Sequence, residues 1–155
     1  EVYKLKNGNL TVDKFSPPVA AGSRTYVIEN GDLIINGNII YGDTKFDLNN
    51  MKKIPSIAFI VINGDIKIAP NVTKLSGVFV ALNGKITGTA NSINQLEFTG
   101  TVYGDIEPLF ASRSFVGNAR RGQGTIVINY DGRLFYNMPP GLKEILDISE
   151  EQVAR

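Results

Sequence analysis

The feature that most constrains how this chain folds is a set of six glycines with matching surroundings. The last four follow one another at a fixed step of 20 residues. Self-similarity at a fixed period is the sequence signature of repeat architectures. The glycines are Gly8, Gly31, Gly64, Gly84, Gly104 and Gly124, and two positions after them come the aliphatic residues Leu10, Leu33, Ile66, Ile86, Ile106 and Ile126.

The residues around these glycines predict a tight corner followed by a short strand. Asn precedes the first four glycines, and Asn and Gly both tolerate positive φ. Runs rich in β-branched residues lie between the corners, which favours strands and no helix before residue 141. We expect strands at 33–35, 39–41, 66–68, 78–80 and 126–128, a polar insertion at 43–53, and a turn with an aromatic strand at 130–137.

Two all-β architectures compete for this pattern. Asn-Gly between apolar runs is a strong hairpin signal, so a β-sandwich is one alternative. Hairpins give no reason for four glycines at an identical step, whereas a parallel β-helix must place equivalent residues over one another. We therefore predict a single domain over 1–155: a β-solenoid of about six coils with ~20-residue repeats at about 5–140. A C-terminal cap at 141–155 is expected to include a short helix after Ser149.

The residues that follow the corners would form a column in this register. Lys85 would lie between Asp65 and Asp105 and could pair with both carboxylates. Two aspartates two layers apart could instead serve glycosidic chemistry. Because Lys85 would occupy the space between them, we predict a structural column and no enzyme.

Composition excludes several classes of function. The chain has no Cys and no His, so a thiolate nucleophile, an imidazole base and a His/Cys metal site are impossible. Its net charge of +1 gives no field that attracts nucleic acid. The longest nearly apolar run, 54–62, is too short to span a membrane. We expect no cofactor, no nucleic acid and no membrane insertion by this segment.

Tyrosines and arginines are the candidate binding residues. A phenol ring stacks on sugar faces while its hydroxyl stays in water, although aromatic residues of a solenoid also fill cores. Arginines of one Ser/Gly-rich stretch could contact phosphate or an acidic glycan, or could be solvated or paired. The candidates are Tyr41, Tyr103, Tyr130 and Tyr136, together with Arg113, Arg120 and Arg121.

The sequence resembles the β-solenoid C-terminal domain of bacterial type IV pilus-associated and pilin-like envelope proteins. The resemblance covers roughly residues 25–141. It rests on the strings at 36–39, 55–61, 64–68, 72–79 and 130–134, and on Pro139-Pro140-Gly141. No catalytic residue belongs to these strings. The N-terminal pilin helix is absent from this sequence, and the chain continues for 14 residues beyond Gly141.

The resemblance implies a surface-displayed module of a longer envelope protein, extracellular or at the cell surface. Its partner would be a polysaccharide or another envelope or pilus protein, and cellulose-binding adhesins are a related possibility. A self-assembling module, similar to the bactofilins, is the alternative and would make the chain a homo-oligomer. A polysaccharide-degrading enzyme on the same fold is the third hypothesis.

Overall fold

The computed structural model describes residues 1–14, 19–42, 49–114 and 124–142, and the structural statements below refer to these residues. Strands dominate, and helices are short. The strands are β1 (Val2–Lys6), β2 (Leu10–Val12), β3 (Ser23–Glu29), β4 (Leu33–Ile35), β5 (Ser56–Ile62), β6 (Ile66–Ile68), β7 (Lys74–Gly88), β8 (Leu96–Asp105) and β9 (Ile126–Asn129). The helices are a 3-10 turn (Met51–Lys53), α1 (Glu107–Ser112) and α2 (Arg133–Tyr136).

The strands pair in two parallel ladders. Ladder 1 has the order β1-β3-β5-β7-β8-β9, and ladder 2 has the order β2-β4-β6-β7. The long strand β7 belongs to both ladders, so the sheet is nearly closed. Every pairing between the described strands is parallel. The all-β expectation is therefore confirmed, and the Asn-Gly pairs do not close antiparallel hairpins.

The first four corners occur where the Asn-Gly pairs predict them. Asn7, Asn30, Asn63 and Asn83 have φ between 56° and 59°, a region that Asn tolerates better than most residues. Each corner connects a strand of ladder 1 to ladder 2. The side-chain amides form a row in which each Nδ2 donates to the Oδ1 of the preceding Asn, at 3.1 to 3.2 Å.

The core lies inside the curled sheet and contains a stack of aromatic rings. Side chains alternate between the two faces of a strand, so every second residue of the ladders points inward. The ring centroids of neighbouring residues lie 4.9 to 5.7 Å apart, and the first three pairs are stacked while the last is edge-on. The stack runs Tyr3, Tyr26, Phe59, Phe79 and Phe98.

The 20-residue step does not extend to the last glycine, Gly124, although Lys85 still pairs with Asp105, 20 residues later. The register between β7 and β8 shifts after Val80. Ile106 is the N-cap residue of α1 and not a strand residue, which corrects the expectation of strands alone before residue 141. Ile126 pairs with Leu96 of β8, so it does not continue a step from Ile106. The helix forms here because Pro108 suits the first turn and Leu109 packs into the core.

Two further expectations differ from the structure. Residues Arg133–Tyr136 form α2 and not an aromatic strand. Lys85 lies between Asp65 and Asp105 as expected, because its amide donates to Asp65 Oδ1 and it pairs in register with Asp105. The ion pair of the corner column instead joins Lys67 to Asp32, at 2.6 Å. The cap helix expected after Ser149 and residues 43–48 of the expected insertion lie outside the described residues. In the described part of the chain, no helix is long and apolar enough to cross a membrane.

Candidate binding surface

A C-terminal segment, residues 131–142, crosses the outer face of ladder 1, and we call it the strap. Because side chains alternate along a strand, the residues next to the inward Phe59 and Phe79 point outward. Leu142 and Leu134 of the strap pack on this outward set and form a second, smaller apolar cluster. The outward residues in the cluster are Ala58, Ile60, Val78 and Val80.

Hydrogen bonds fix the strap to side chains of β3 and β5 and to the backbone just before β5. The Thr25 hydroxyl donates to the carbonyl of Pro140 at 2.5 Å, and the Ser56 hydroxyl donates to that of Asn137 at 2.5 Å. The Asn137 amide donates to the carbonyl of Ile54 at 2.7 Å. Thr25 and Ser56 are fully buried, so the strap satisfies polar groups that the ladder alone would leave without partners.

The strap begins at a buried polar cluster beneath which Tyr41 lies. The Arg133 guanidinium stands 4.8 Å from the centre of the Tyr41 ring and 3.5 Å from the Asp131 carboxylate. Tyr41 is buried, and its hydroxyl accepts a 3.4 Å hydrogen bond from the amide of Ile57. Burial raises the pKa of Tyr41 to about 12, because the charged phenolate would lose its hydration there. Tyr41 therefore supports the strap and is not part of an exposed binding surface.

The other three predicted tyrosines are exposed, and two of them, Tyr130 and Tyr136, lie next to or within the strap. Tyr103 pairs in register with the outward residue Val80 and is 47% exposed. Tyr130 precedes the strap and is 71% exposed, and its ring lies 6.0 Å from that of Phe135. Tyr136 belongs to α2 and is also exposed. We call Tyr103, Tyr130, Phe135 and Tyr136 the outer aromatic surface.

Polar residues of β8 extend this surface. Thr101 alternates with Tyr103 on the outward side of β8, and it is exposed. Hydroxyl groups beside exposed rings supply the hydrogen bonds that a sugar needs, while the rings supply the apolar contact. This arrangement suits a flat, hydroxylated ligand.

Arg113, the one predicted arginine within the described residues, does not join this surface. Arg113 is buried, and its guanidinium donates to the carbonyls of Ala69 and Val72 at 2.9 Å and of Asn94 at 3.2 Å. Burial lowers its pKa, since the cation is removed from water. Arg113 thus holds backbone segments together. Arg120 and Arg121 lie outside the described residues.

The aspartates of the corner column are hydrogen-bond acceptors for the neighbouring layer. Asp32 Oδ1 accepts from the amide of Asp65, and Asp65 Oδ1 accepts from the amide of Lys85, each at 2.8 Å. The pKa of Asp32 is below its ordinary value because Lys67 and the Asp65 amide donate to its carboxylate. Among the described residues, no group of three or more His, Cys, Asp or Glu could hold a metal ion.

Sequence reasoning missed Phe135, which is 79% exposed. The expected aromatic strand would have placed alternate rings on opposite faces, and α2 instead leaves Phe135 and Tyr136 outward while Leu134 packs on the ladder. The signal that could have found it is Asp131 two residues before Arg133. The Asp131 carboxylate accepts from the Arg133 amide at 3.0 Å and favours a turn at this point.

The chain matches no protein-family model, and comparison with curated proteins and with solved structures likewise gives no match.

Proposed function

We propose that this chain is a non-enzymatic binding module of a bacterial envelope or pilus-associated protein, displayed at the cell surface. Its outer aromatic surface contacts polysaccharide. The observation that carries this proposal is the set of four exposed aromatic residues, of which Tyr130 and Phe135 are in ring contact at the start of the strap and Tyr103 faces outward from β8. Soluble domains rarely expose large apolar side chains in groups unless these contact a partner.

The proposed scaffold is a β-solenoid in which each of the first four layers adds strand residues to ladder 1 and to ladder 2, while β8 and β9 extend ladder 1. The row of Asn corners supports this, since its members are separated by 23, 33 and 20 residues and still hydrogen-bond in sequence order. Variable layer lengths fit a solenoid because connections can lengthen on the outside without changing the ladder. A rigid scaffold of this kind would hold the aromatic rings in a fixed arrangement.

The proposed ligand is a polysaccharide with exposed apolar sugar faces. Aromatic rings that stand in solvent contribute apolar contact, and ordered rings lose little conformational entropy on binding. The strap keeps this part of the surface ordered through its buried hydrogen bonds to Thr25 and Ser56. Individual contacts of this kind are weak, so many copies on one cell surface would add through multivalency.

The test is depletion of the purified chain from solution by insoluble cellulose, chitin, xylan or peptidoglycan. We expect loss onto at least one of them and at least tenfold weaker depletion for the double variant Tyr130→Ala/Phe135→Ala. Ile93→Ala is the matched control, because Ile93 is 70% exposed and lies in the connection between β7 and β8. Heat-unfolded protein serves as the second control.

Equal depletion of the double variant and the wild type would contradict the assignment of the surface. Absence of depletion by all four materials would contradict polysaccharide binding and favour an assembly role. Release of new reducing ends or unsaturated products would contradict the non-enzymatic proposal and favour a polysaccharide-degrading enzyme.

A further inference from the structure

In the described part of the chain, β1 and β2 are the terminal strands of the two ladders at the N-terminal end. Among the described residues, β1 pairs only with β3, and β2 pairs only with β4. All five residues of β1 are exposed, and Tyr3 ends the aromatic stack with one ring face uncovered by another ring. An exposed edge strand is a template for the addition of another strand. The residues at this edge indicate what kind of strand it would accept.

Gly8 is the first of these residues, because nothing in the described structure requires it to be glycine. At Gly31, Gly64 and Gly84, an added Cβ would overlap the carbonyl oxygen of the equivalent glycine one layer toward the N-terminus. An added Cβ at Gly8 would meet no atom within 4 Å. In all three cases the contact is with the layer on the N-terminal side. A backbone that required glycine at position 8 would therefore lie on the N-terminal side of Gly8.

The residue after Gly8 gives independent support. In the next layers, the amides of Asp32, Asp65 and Lys85 each donate at 2.8 Å to a side-chain oxygen of the preceding layer. The acceptor for Asp32 is Oδ1 of Asn9. The amide of Asn9 itself has no partner among the described residues. It therefore lacks the Asn or Asp side-chain oxygen that the amides of Asp32, Asp65 and Lys85 each receive.

We propose that this edge is a docking site for a β-coil with the sequence Asn-Gly-Asx-Leu/Ile, added in parallel. Its glycine carbonyl would lie over Gly8, and its Asx oxygen would accept from the amide of Asn9. Its Asn oxygen would accept from Nδ2 of Asn7, which continues the row of corner amides. This inference rests on the stacked layers of the proposed scaffold and is independent of polysaccharide binding.

The described C-terminal end of a second copy does not supply this chemistry. The last Asn-Gly corner is formed by Asn83 and Gly84, and the next residue is Lys85, whose side chain has no acceptor. In addition, α1 packs against β7 at that end. The occupant that fits is therefore a coil with Asn or Asp after its glycine, and not the end of another copy.

The first test uses the intact chain and a fluorescent peptide with the sequence of residues 24–41, which contains Asn30-Gly31-Asp32-Leu33. We expect saturable binding by anisotropy and protection of β1 amides from hydrogen exchange. Gly8→Ala should weaken binding at least tenfold while leaving the urea midpoint unchanged, because its Cβ would clash only with the peptide. A peptide with Asp32→Lys should also bind at least tenfold more weakly.

A covalent version keeps the proposal testable if the peptide aggregates. Residues 2–24 are repeated once ahead of Val2, which keeps the 23-residue separation of the first two Asn corners. In this extended chain, Gly8→Ala at the second copy of the sequence should lower the urea midpoint, whereas it is neutral in the original chain. Equal tolerance of Gly8→Ala in both chains would overturn the proposal. Self-association of the original chain that Gly8→Ala abolishes would also overturn it, since the occupant would then be a second copy.

Discussion

At the scale of single residues, the backbone of the neighbouring layer decides what a side chain does. The corner aspartates could be read from sequence as an ion-pair column with Lys85 or as a carboxylate pair. In the structure, Asp32 and Asp65 accept from backbone amides of the next layer. The sequence could predict that these residues stack, because the glycine spacing sets the register. It could not show which groups donate to the aspartate carboxylates, because every residue except proline carries the same backbone amide.

The first residue-scale prediction concerns the glycine column. Gly64→Ala should destabilise the fold by about 1–3 kcal/mol, because its Cβ would overlap the Gly31 carbonyl oxygen and force the layers apart. Gly8→Ala is the matched control and should change the free energy of unfolding by less than about 0.5 kcal/mol. Urea denaturation monitored by tyrosine fluorescence measures both. A Gly64→Ala variant as stable as Gly8→Ala would show that the layers are not in this contact.

The second residue-scale prediction concerns pH. The pKa of Asp32 is lower in the folded chain than its ordinary value, so its ionised form stabilises the fold above a pH of about 4. That contribution is lost as the pH falls through the lower, folded pKa. Asp32→Asn keeps an acceptor for the Asp65 amide but loses the ion pair with Lys67, which is partly exposed and contributes about 0.5–1 kcal/mol.

The measurement is the urea midpoint of the wild type and Asp32→Asn at several pH values. We expect a difference at pH 7 that shrinks as the pH falls below about 4. A difference that is constant with pH would mean that the carboxylate charge contributes nothing.

At the scale of elements, short strands were predictable and the strap was not. Residues 33–35 and 66–68 form β4 and β6 as the β-branched runs predict, and 78–80 lie within β7. The strap depends on contacts far along the sequence, such as Ser56 with Asn137, and local patterns carry no signal for such pairs. The aromatic run at its start favours a strand by propensity, but packing of Leu134 on the ladder outweighs that preference.

The element-scale prediction is that the strap loosens before the ladders unfold. Asn137→Ala removes the donor to the Ile54 carbonyl, which should cost about 1 kcal/mol. Hydrogen exchange in residues 131–142 should become faster, while β5 and β7 keep their protection. Phe135→Ala is the control, since its ring is largely exposed and should not alter exchange in the ladders. Equal loss of protection in strap and ladders would mean that the two form one cooperative unit.

At the scale of the whole molecule, the glycine period correctly indicates parallel strands, but it also predicts further repeats near the C-terminus that the structure does not form. The first four corners obey the Asn-Gly pattern, whereas Gly104 itself adopts a φ of 138° and follows Tyr103. Beyond it the chain enters α1 and returns as β9 beside β8. The spacing of a repeat does not predict which strand a later segment pairs with. The outer aromatic surface was predicted in part. Of the four tyrosines proposed from the sequence, Tyr103, Tyr130 and Tyr136 are exposed, whereas Tyr41 is buried.

The molecule-scale prediction compares two repeat positions that look equivalent in sequence. Ile66→Asp should unfold the chain, because Ile66 is fully buried in the core and an unpaired charge there costs several kcal/mol. Ile106→Asp should be milder, since Ile106 is only partly buried at the start of α1. Circular dichroism during thermal unfolding distinguishes them. Equal effects of the two substitutions would mean that Ile106 is a buried repeat position equivalent to Ile66.

The most direct test of the parallel layers is disulfide formation between introduced cysteines, since the chain has none of its own. Lys67 and Thr87 are register partners of β6 and β7, and neighbouring strands lie about 4.8 Å apart, within disulfide reach. The pair Lys67→Cys/Thr87→Cys should oxidise readily and keep the folded spectrum. The shifted pair Lys67→Cys/Lys85→Cys should stay reduced under the same conditions. Oxidation of the shifted pair, with the register pair reduced, would contradict the parallel register on which this account rests.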